Sequence, residues 1–257
     1  MHSNYLIAFD FDGVIWNSVD ECFHLGYRVF KEMEGKIPAD DSILMEKFRH
    51  GRYLAKTGDD FYILFRMMKQ DPSIDFNETT FDQFFSCRER YSEKINDFSK
   101  GFYNERWRTQ EKDIETWLSL QGPYPDVMEQ LPGLKDEFLD VAICSAKDES
   151  TINLLIARYN QSYCVYGREH SKYKPDLIRA IAREMQIESS KIIFIDDLME
   201  NLRHVKSTDC ICIMADWGYN NKRERNKAKN EGFPVISRKN IMGQLIEIIE
   251  KRGDYDE

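Results

Sequence analysis

The sequence predicts an α/β fold: a parallel sheet with helices on both faces, interrupted after its first strand by an all-helical insertion. Three observations predict it. Tyr5–Phe9 is an unbroken apolar run of strand length. From residue 18 to about 120, apolar side chains recur at helical spacing and no convincing strand is seen. Beyond Gly122-Pro123-Tyr124-Pro125, strand-like and helix-like segments alternate to the end. Alternation of this kind implies right-handed crossovers and a parallel sheet.

Taken in order, residues 4–15 read as strand and turn. In the helical stretch, Phe61, Leu64, Phe65 and Met68 share one face. Phe81, Phe84, Phe85, Tyr91, Ile95, Phe98 and Phe102 continue the pattern, and Ile114, Trp117 and Leu118 make a shorter stripe. These aromatics are expected to form the core of a helix bundle. After the Gly-Pro break, 139–144 is a strand. Residues 149–159 form a helix capped by Asp148. Residues 163–166 make a short strand, and 175–185 a helix with proline in its first turn. A strand over 191–195 is followed by a short helix to about Lys206. Residues 210–214 are a strand and 241–251 the closing helix. The basic run 222–227 reads as an exposed helix. The tail from Gly253 to Glu257 is polar and expected to fray.

Composition narrows the function. The chain has 257 residues, 42% hydrophobic and 32% charged, with a formal net charge of −9. The acidic balance argues against nucleic-acid binding, which needs a basic face. No apolar run is long enough to span a bilayer, so no membrane partner is expected. Met1-His2-Ser3-Asn4 runs straight into the first strand, leaving no room for a signal peptide. The six cysteines, at 22, 87, 144, 164, 210 and 212, form no CxxC pair. Four of them lie in strand-like runs, where cysteine acts as a small core residue. A cytoplasmic location fits best. The five histidines lack ligand spacing and suggest no transition-metal site.

The chemistry collects at strand ends, where parallel sheets bind ligands. Asp10-Phe11-Asp12-Gly13 follows the first strand. Two carboxylates two residues apart point the same way in strand geometry, and Gly13 permits a sharp turn. Ser145, Ala146 and Lys147 follow the strand ending at Cys144. Lys172 and Lys174-Pro175 follow Tyr166. Asp196-Asp197 closes the strand ending at Ile195, with Asn201 four residues on. Crowded carboxylates resist joint ionisation, and an oxygen-preferring divalent cation such as magnesium relieves them.

In these motifs the chain resembles the haloacid dehalogenase superfamily over nearly its whole length. Asp10-Phe11-Asp12-Gly13 matches the first motif, Ser145 the second and Lys174-Pro175-Asp176 the third. The run from Asp196 to Asn201 matches the acidic fourth. The segment from Asp216 to Asn220 looks like the loop of phosphoglycolate-phosphatase-like members. The resemblance implies a Rossmann-like core domain over 1–17 and 122–257 and a helical cap domain over 18–121. It also implies a magnesium-dependent phosphatase. Asp10 would be the nucleophile that forms an aspartyl-phosphate, and Asp12 the acid and base. Ser145 and the Ala146 backbone would bind phosphate, and Lys174 would balance charge. Asp10 and Asp197 would be side-chain metal ligands, with Asp12 contributing its carbonyl and Asp196 in support.

Two positions depart from the family pattern. Asn201 stands where many relatives carry a second aspartate, so it is expected to orient Lys174 or Ser145 rather than to ligate. Asn17-Ser18 replaces the commoner Asp-Ser. Asp12 favours phosphoryl transfer over carbon–halogen cleavage, since dehalogenases of the family lack that acid. The alternatives are a carbon–halogen or phosphonate hydrolase on the same scaffold, or a non-catalytic phospho-ligand sensor. The expected substrate is a small phosphorylated metabolite, with Trp16, Arg49 and Arg52 as candidates for selecting it. The protein is expected to be a monomer or homodimer.

Overall fold

The structure is a computed structural model that describes residues 2–253. Asp254–Glu257 of the tail lie outside the described residues. The chain divides into two units. One comprises the residues up to Asn17 together with those from Pro123 onward, and the other is Ser18–Gly122.

The first unit is built on a six-stranded sheet: β1 (His2–Phe9), β2 (Phe138–Cys144), β3 (Cys164–Tyr166), β4 (Ile192–Asp196), β5 (Ile211–Ala215) and β6 (Val235–Ile236). Their order is β3-β2-β1-β4-β5-β6, and all five pairings are parallel. This is the doubly wound arrangement whose order reverses beside β1, where such folds place their ligands. Leu6, Ile7, Ala8 and Phe9 are wholly buried, as expected of a strand covered on both faces. The register decides what meets at the carboxyl edge. Phe9 pairs with Ile143 on one side and Ile195 on the other. The next residues, Asp10, Cys144 and Asp196, therefore come out level.

Some predicted elements shift. The first strand begins at His2, three residues before the apolar run. Pro125–Met128, Leu131–Glu137 and the two-residue edge strand β6 were not predicted, being too short to show a period. Asp148 does cap the helix Glu149–Ala157, accepting the Thr151 amide at 2.8 Å. Cys164 is exposed, contrary to its expected core role, because β3 is the sheet edge. The basic run lies in the helix Lys222–Asn230, but Glu224 and Ala228 on that helix are buried. It is amphipathic rather than wholly exposed.

The second unit is helical. Its core draws on the predicted aromatic stripes: Phe61 meets Phe102 edge-on at 5.3 Å, and Phe65 is stacked at 5.1 Å by Phe48, a ring outside those stripes. The long stripe from Phe81 to Phe102 is two helices, Phe81–Arg90 and Ser92–Lys112, broken at Tyr91, and Phe85 turns outward. A buried ion pair threads this core. Arg106 Nε and Nη2 donate to the two oxygens of Glu21 at 2.6 and 2.7 Å, and the Trp117 indole donates to Glu21 at 3.1 Å. Among the described residues no helix is long and apolar enough to cross a membrane.

Candidate active site

Asp10 leaves the end of β1 and is almost fully buried. The turn behind it is tight. The Phe11 carbonyl accepts the amides of Val14, Ile15 and Trp16, and the Gly13 amide donates to the Trp16 carbonyl at 2.7 Å. Gly13 sits at φ 89°, and a Cβ there would stand 2.3 Å from Asp197 Oδ2. Only glycine lets the turn approach that carboxylate.

Lys174 begins the helix Lys174–Glu184 and reaches across the sheet edge. Its ammonium donates to Asp10 Oδ1 at 2.7 Å and to the Cys144 carbonyl, and lies 3.7 Å from Asp196 Oδ2. Burial works against its charge, but the Asp10 and Asp196 carboxylates outweigh it and hold the ammonium above the usual lysine range. Cys144 is inert packing, its thiol pushed up to about 12 by burial.

Asp196 ends β4 and is wholly buried. It accepts the Leu198 amide at 2.8 Å and the Asn201 side-chain amide at 3.2 and 3.0 Å. Burial and the Asp10 carboxylate push its carboxyl up to about 7. Asn201 therefore orients Asp196, rather than touching Lys174 or Ser145 as expected. Asp197 is also wholly buried, and its Oδ2 accepts the Tyr219 amide. One carboxylate oxygen from each of Asp10, Asp196 and Asp197 can be chosen so that all three lie within 4.8 Å of one another.

Ser145 is buried, its amide held by the Tyr166 carbonyl at 3.0 Å and its Oγ accepting the Lys147 amide at 3.2 Å. Ala146 follows it, half-buried. The structure therefore brings Asp10, Asp12, Ser145, Ala146, Lys174, Asp196, Asp197 and Asn201 to one edge of one sheet.

Two features were not assigned from the sequence. Lys147 closes on Asp12: its Nζ donates to Asp12 Oδ1 at 3.0 Å, and its side chain is 2% exposed. Its place just past a strand end was visible, but nothing local marks a lysine as turned inward. The second is the support of Asp197 by the loop after β5. The Asn220 side-chain amide donates to the Asp197 carbonyl at 3.0 Å and the Ala215 carbonyl at 2.8 Å, and the Trp217 indole donates to the Val14 carbonyl at 2.9 Å. A Cβ on Gly218 would stand 2.3 Å from that of Asp197.

The three specificity candidates have structural engagements inside their own units. Trp16 is buried and stacks on Phe11 at 5.6 Å. Arg49 forms a bidentate pair with Asp20. Arg52 is buried, with its guanidinium 4.9 Å from the centre of the Phe61 ring and donating to the Ala55 carbonyl.

Solved structures share this architecture. A haloacid dehalogenase-like family hydrolase from Streptococcus pneumoniae is 17% identical, with a TM-score of 0.61, covering 97% of this chain and 99% of its own. A predicted phosphatase from Clostridium acetobutylicum is 15% identical, with a TM-score of 0.63 over 97% of this chain and 99% of its own. A predicted phosphoglycolate phosphatase from Haemophilus somnus is 18% identical, with a TM-score of 0.61 over 95% and 98%. At these identities the likeness is one of fold. No curated protein matches the sequence. The sequence profile of the haloacid dehalogenase-like hydrolases matches residues 6–203, most of the sheet unit and the whole helical insertion. With that match and the acid cluster at its sheet edge, the chain belongs to the haloacid dehalogenase-like hydrolase family.

Proposed function

We propose that this protein is a magnesium-dependent phosphatase that hydrolyses a small phosphate monoester through an aspartyl-phosphate on Asp10. The observation that carries the reading is the pair of acids after β1, each held by its own lysine: Asp10 by Lys174 at 2.7 Å and Asp12 by Lys147 at 3.0 Å. A nucleophile and a separate acid/base are what two-step hydrolysis of an ester requires. The likeness to a predicted phosphatase from Clostridium acetobutylicum and a predicted phosphoglycolate phosphatase from Haemophilus somnus agrees with it.

The residues fit a magnesium ion. Three buried carboxylates converge, every donor is a hard oxygen, and the Lys174 ammonium balances only part of their charge. Asp10 and Asp197, with the Asp12 carbonyl, would hold the ion, and Asp196 would support them. When bound, it supplies electrostatic stabilisation of the phosphoryl oxygens beside the anionic nucleophile.

The Asp10 carboxylate attacks phosphorus in line as the ester P–O bond breaks. Asp12 gives its proton to the departing alkoxide. Asp12 then takes a proton from water as that water attacks phosphorus, and the bond from phosphorus to Asp10 breaks. Ester and water become alcohol and phosphate, and both aspartates return to their starting state. Ser145 Oγ and the Ala146 amide hold phosphate oxygens, while Lys174 keeps Asp10 aimed and offsets charge. The substrate is a small metabolite, and the protein works as a monomer or homodimer in the cytoplasm.

The test is phosphate release from p-nitrophenyl phosphate and a panel of small phosphate esters, with magnesium or with chelator. Turnover that needs magnesium and collapses in Asp12→Ala is expected. A folded protein that binds magnesium yet turns over no ester would overturn the reading.

A further inference from the structure

Lysine is almost never fully buried without a partner, because burial costs both its hydration and its rotamer freedom. Lys147 is nevertheless buried along its whole side chain. Its backbone is fixed on both sides: its amide donates to Ser145 Oγ at 3.2 Å, and its carbonyl accepts the Arg168 amide at 3.1 Å. The next residue, Asp148, caps the following helix. The side chain runs from this anchored junction past the Phe11 ring, with the ammonium 5.7 Å from its centre, to Asp12 Oδ1. Phe11 stacks on Trp16, so the wall beside the lysine is itself packed.

We infer that Lys147 is a positioning residue for Asp12: by holding Oδ1 it fixes the rotation of the carboxylate, and so the direction in which Oδ2 faces to exchange the proton. The inference deepens the phosphatase reading and rests on it. The need for such a device follows from the sequence. Asp10 is held level with the sheet by β1, but Asp12 lies beyond the strand, in the turn made by Gly13, and is 22% exposed at its side chain. A carboxylate on a turn has two soft torsions, and proton transfer tolerates little misalignment. A charge-assisted bond from a rigidly rooted ammonium removes that freedom. Lysine suits the task because it bonds one carboxylate oxygen as a point charge, whereas arginine would tend to take both.

A positioning role and a phosphate-binding role for Lys147 differ in what they make sensitive. Protonation of the leaving group matters for an alkyl phosphate, whose alkoxide is a poor leaving group, and little for p-nitrophenyl phosphate. The experiment compares kcat/KM of wild type, Lys147→Met and Lys147→Arg on glycerol 3-phosphate and p-nitrophenyl phosphate, with folding checked by circular dichroism. For Lys147→Met the expected loss is about 10²-fold on the alkyl ester and several-fold at most on the aryl ester. Lys147→Arg keeps the cation but tends to take both carboxylate oxygens, so it should recover little of the alkyl-ester loss. Adding Lys147→Met to Asp12→Asn should cost little further on either ester. Equal losses on both esters, or a full additional loss in the Asp12→Asn background, would overturn the inference and assign Lys147 to the phosphate itself. Failure of the phosphatase reading is distinct, since wild type would then turn over neither ester.

Discussion

Each unit of this protein buries a cluster of charge, and the two clusters are composed differently. In the helical unit, Glu21 faces a bidentate Arg106 and the Trp117 indole, so one anion meets one cation with its oxygens bonded. Glu21 holds Arg106 firmly charged, against the opposing pull of burial. In the sheet unit, three carboxylates from Asp10, Asp196 and Asp197 converge, with the Lys174 ammonium within 4 Å of Asp10 and Asp196. The first arrangement is balanced and needs nothing more. The second leaves excess negative charge, and pushes Asp196 up to about 7 through burial and the nearness of Asp10. A balanced buried pair fixes a core, whereas an unbalanced one is kept at a cost in stability for what it binds.

Substitution in either cluster should separate binding from support. The largest effect is expected from Asp10→Asn. Turnover of a phosphate ester should fall by at least about 10⁴-fold, the scale seen when a nucleophile is removed. Unfolding in denaturant with chelator present should show equal or greater stability, because a like charge has gone. A substantial loss of stability would mean that the acid cluster is structural.

Arg106→Met should do the reverse. It leaves Glu21 buried without its cation and should cost about 3–5 kcal/mol in denaturant unfolding. Double replacement of Glu21 and Arg106 by apolar residues should recover much of that. If Arg106→Met alone is neutral, the pair is not the anchor of the helical core.

Gly218→Ala sharpens the picture at the sheet edge. Its new Cβ would collide with Asp197 Cβ and the Gly13 carbonyl, at 2.3 and 2.5 Å. A shift of that carboxylate should lower kcat/KM about 10²-fold and weaken magnesium binding measured by calorimetry. Unchanged magnesium affinity would show that Asp197 is not held by this loop.

The smallest effect concerns pH and lies in the helical unit. Burial raises the Glu34 carboxyl, but the Lys94 and Tyr62 hydrogen bonds and the Arg66 charge outweigh it and hold it below the ordinary glutamate range. A carboxyl lowered by folding contributes stability above its unfolded pKa and loses it as pH falls through the folded value. Unfolding titrations should therefore show wild type losing its advantage over Glu34→Gln as pH drops below about 4. Equal slopes for the two proteins would remove Glu34 from the acid sensitivity.

Much of this was legible in the chain. Tyr5–Phe9 declared a two-face-buried strand because five consecutive apolar residues suit no half-exposed one. The aromatic spacing from Phe61 to Phe102 declared helices. The acids at 10, 12, 196 and 197, with Ser145 and Lys174, could be placed at one edge because parallel strands all end on the same side. The short elements Pro125–Met128, Leu131–Glu137 and Val235–Ile236 stayed hidden, since the two helices are too short to repeat an apolar face and the strand too short to show a run. Asn201, expected to orient Lys174 or Ser145, bonds Asp196 instead, a choice made by side-chain direction at the helix start.

By itself the sequence determined the strand ends and the kinds of residue delivered there, because residue type and periodicity are local properties of a chain. Only the tertiary structure decided the pairings. Whether Lys147 points to solvent or to Asp12, 135 residues away, depends on the register of β1 beside β2. Whether Gly218 supports Asp197 depends on how the loop after β5 crosses the end of β4. Charge partners far apart in sequence are fixed by packing, and no local pattern encodes the direction in which a long side chain is packed.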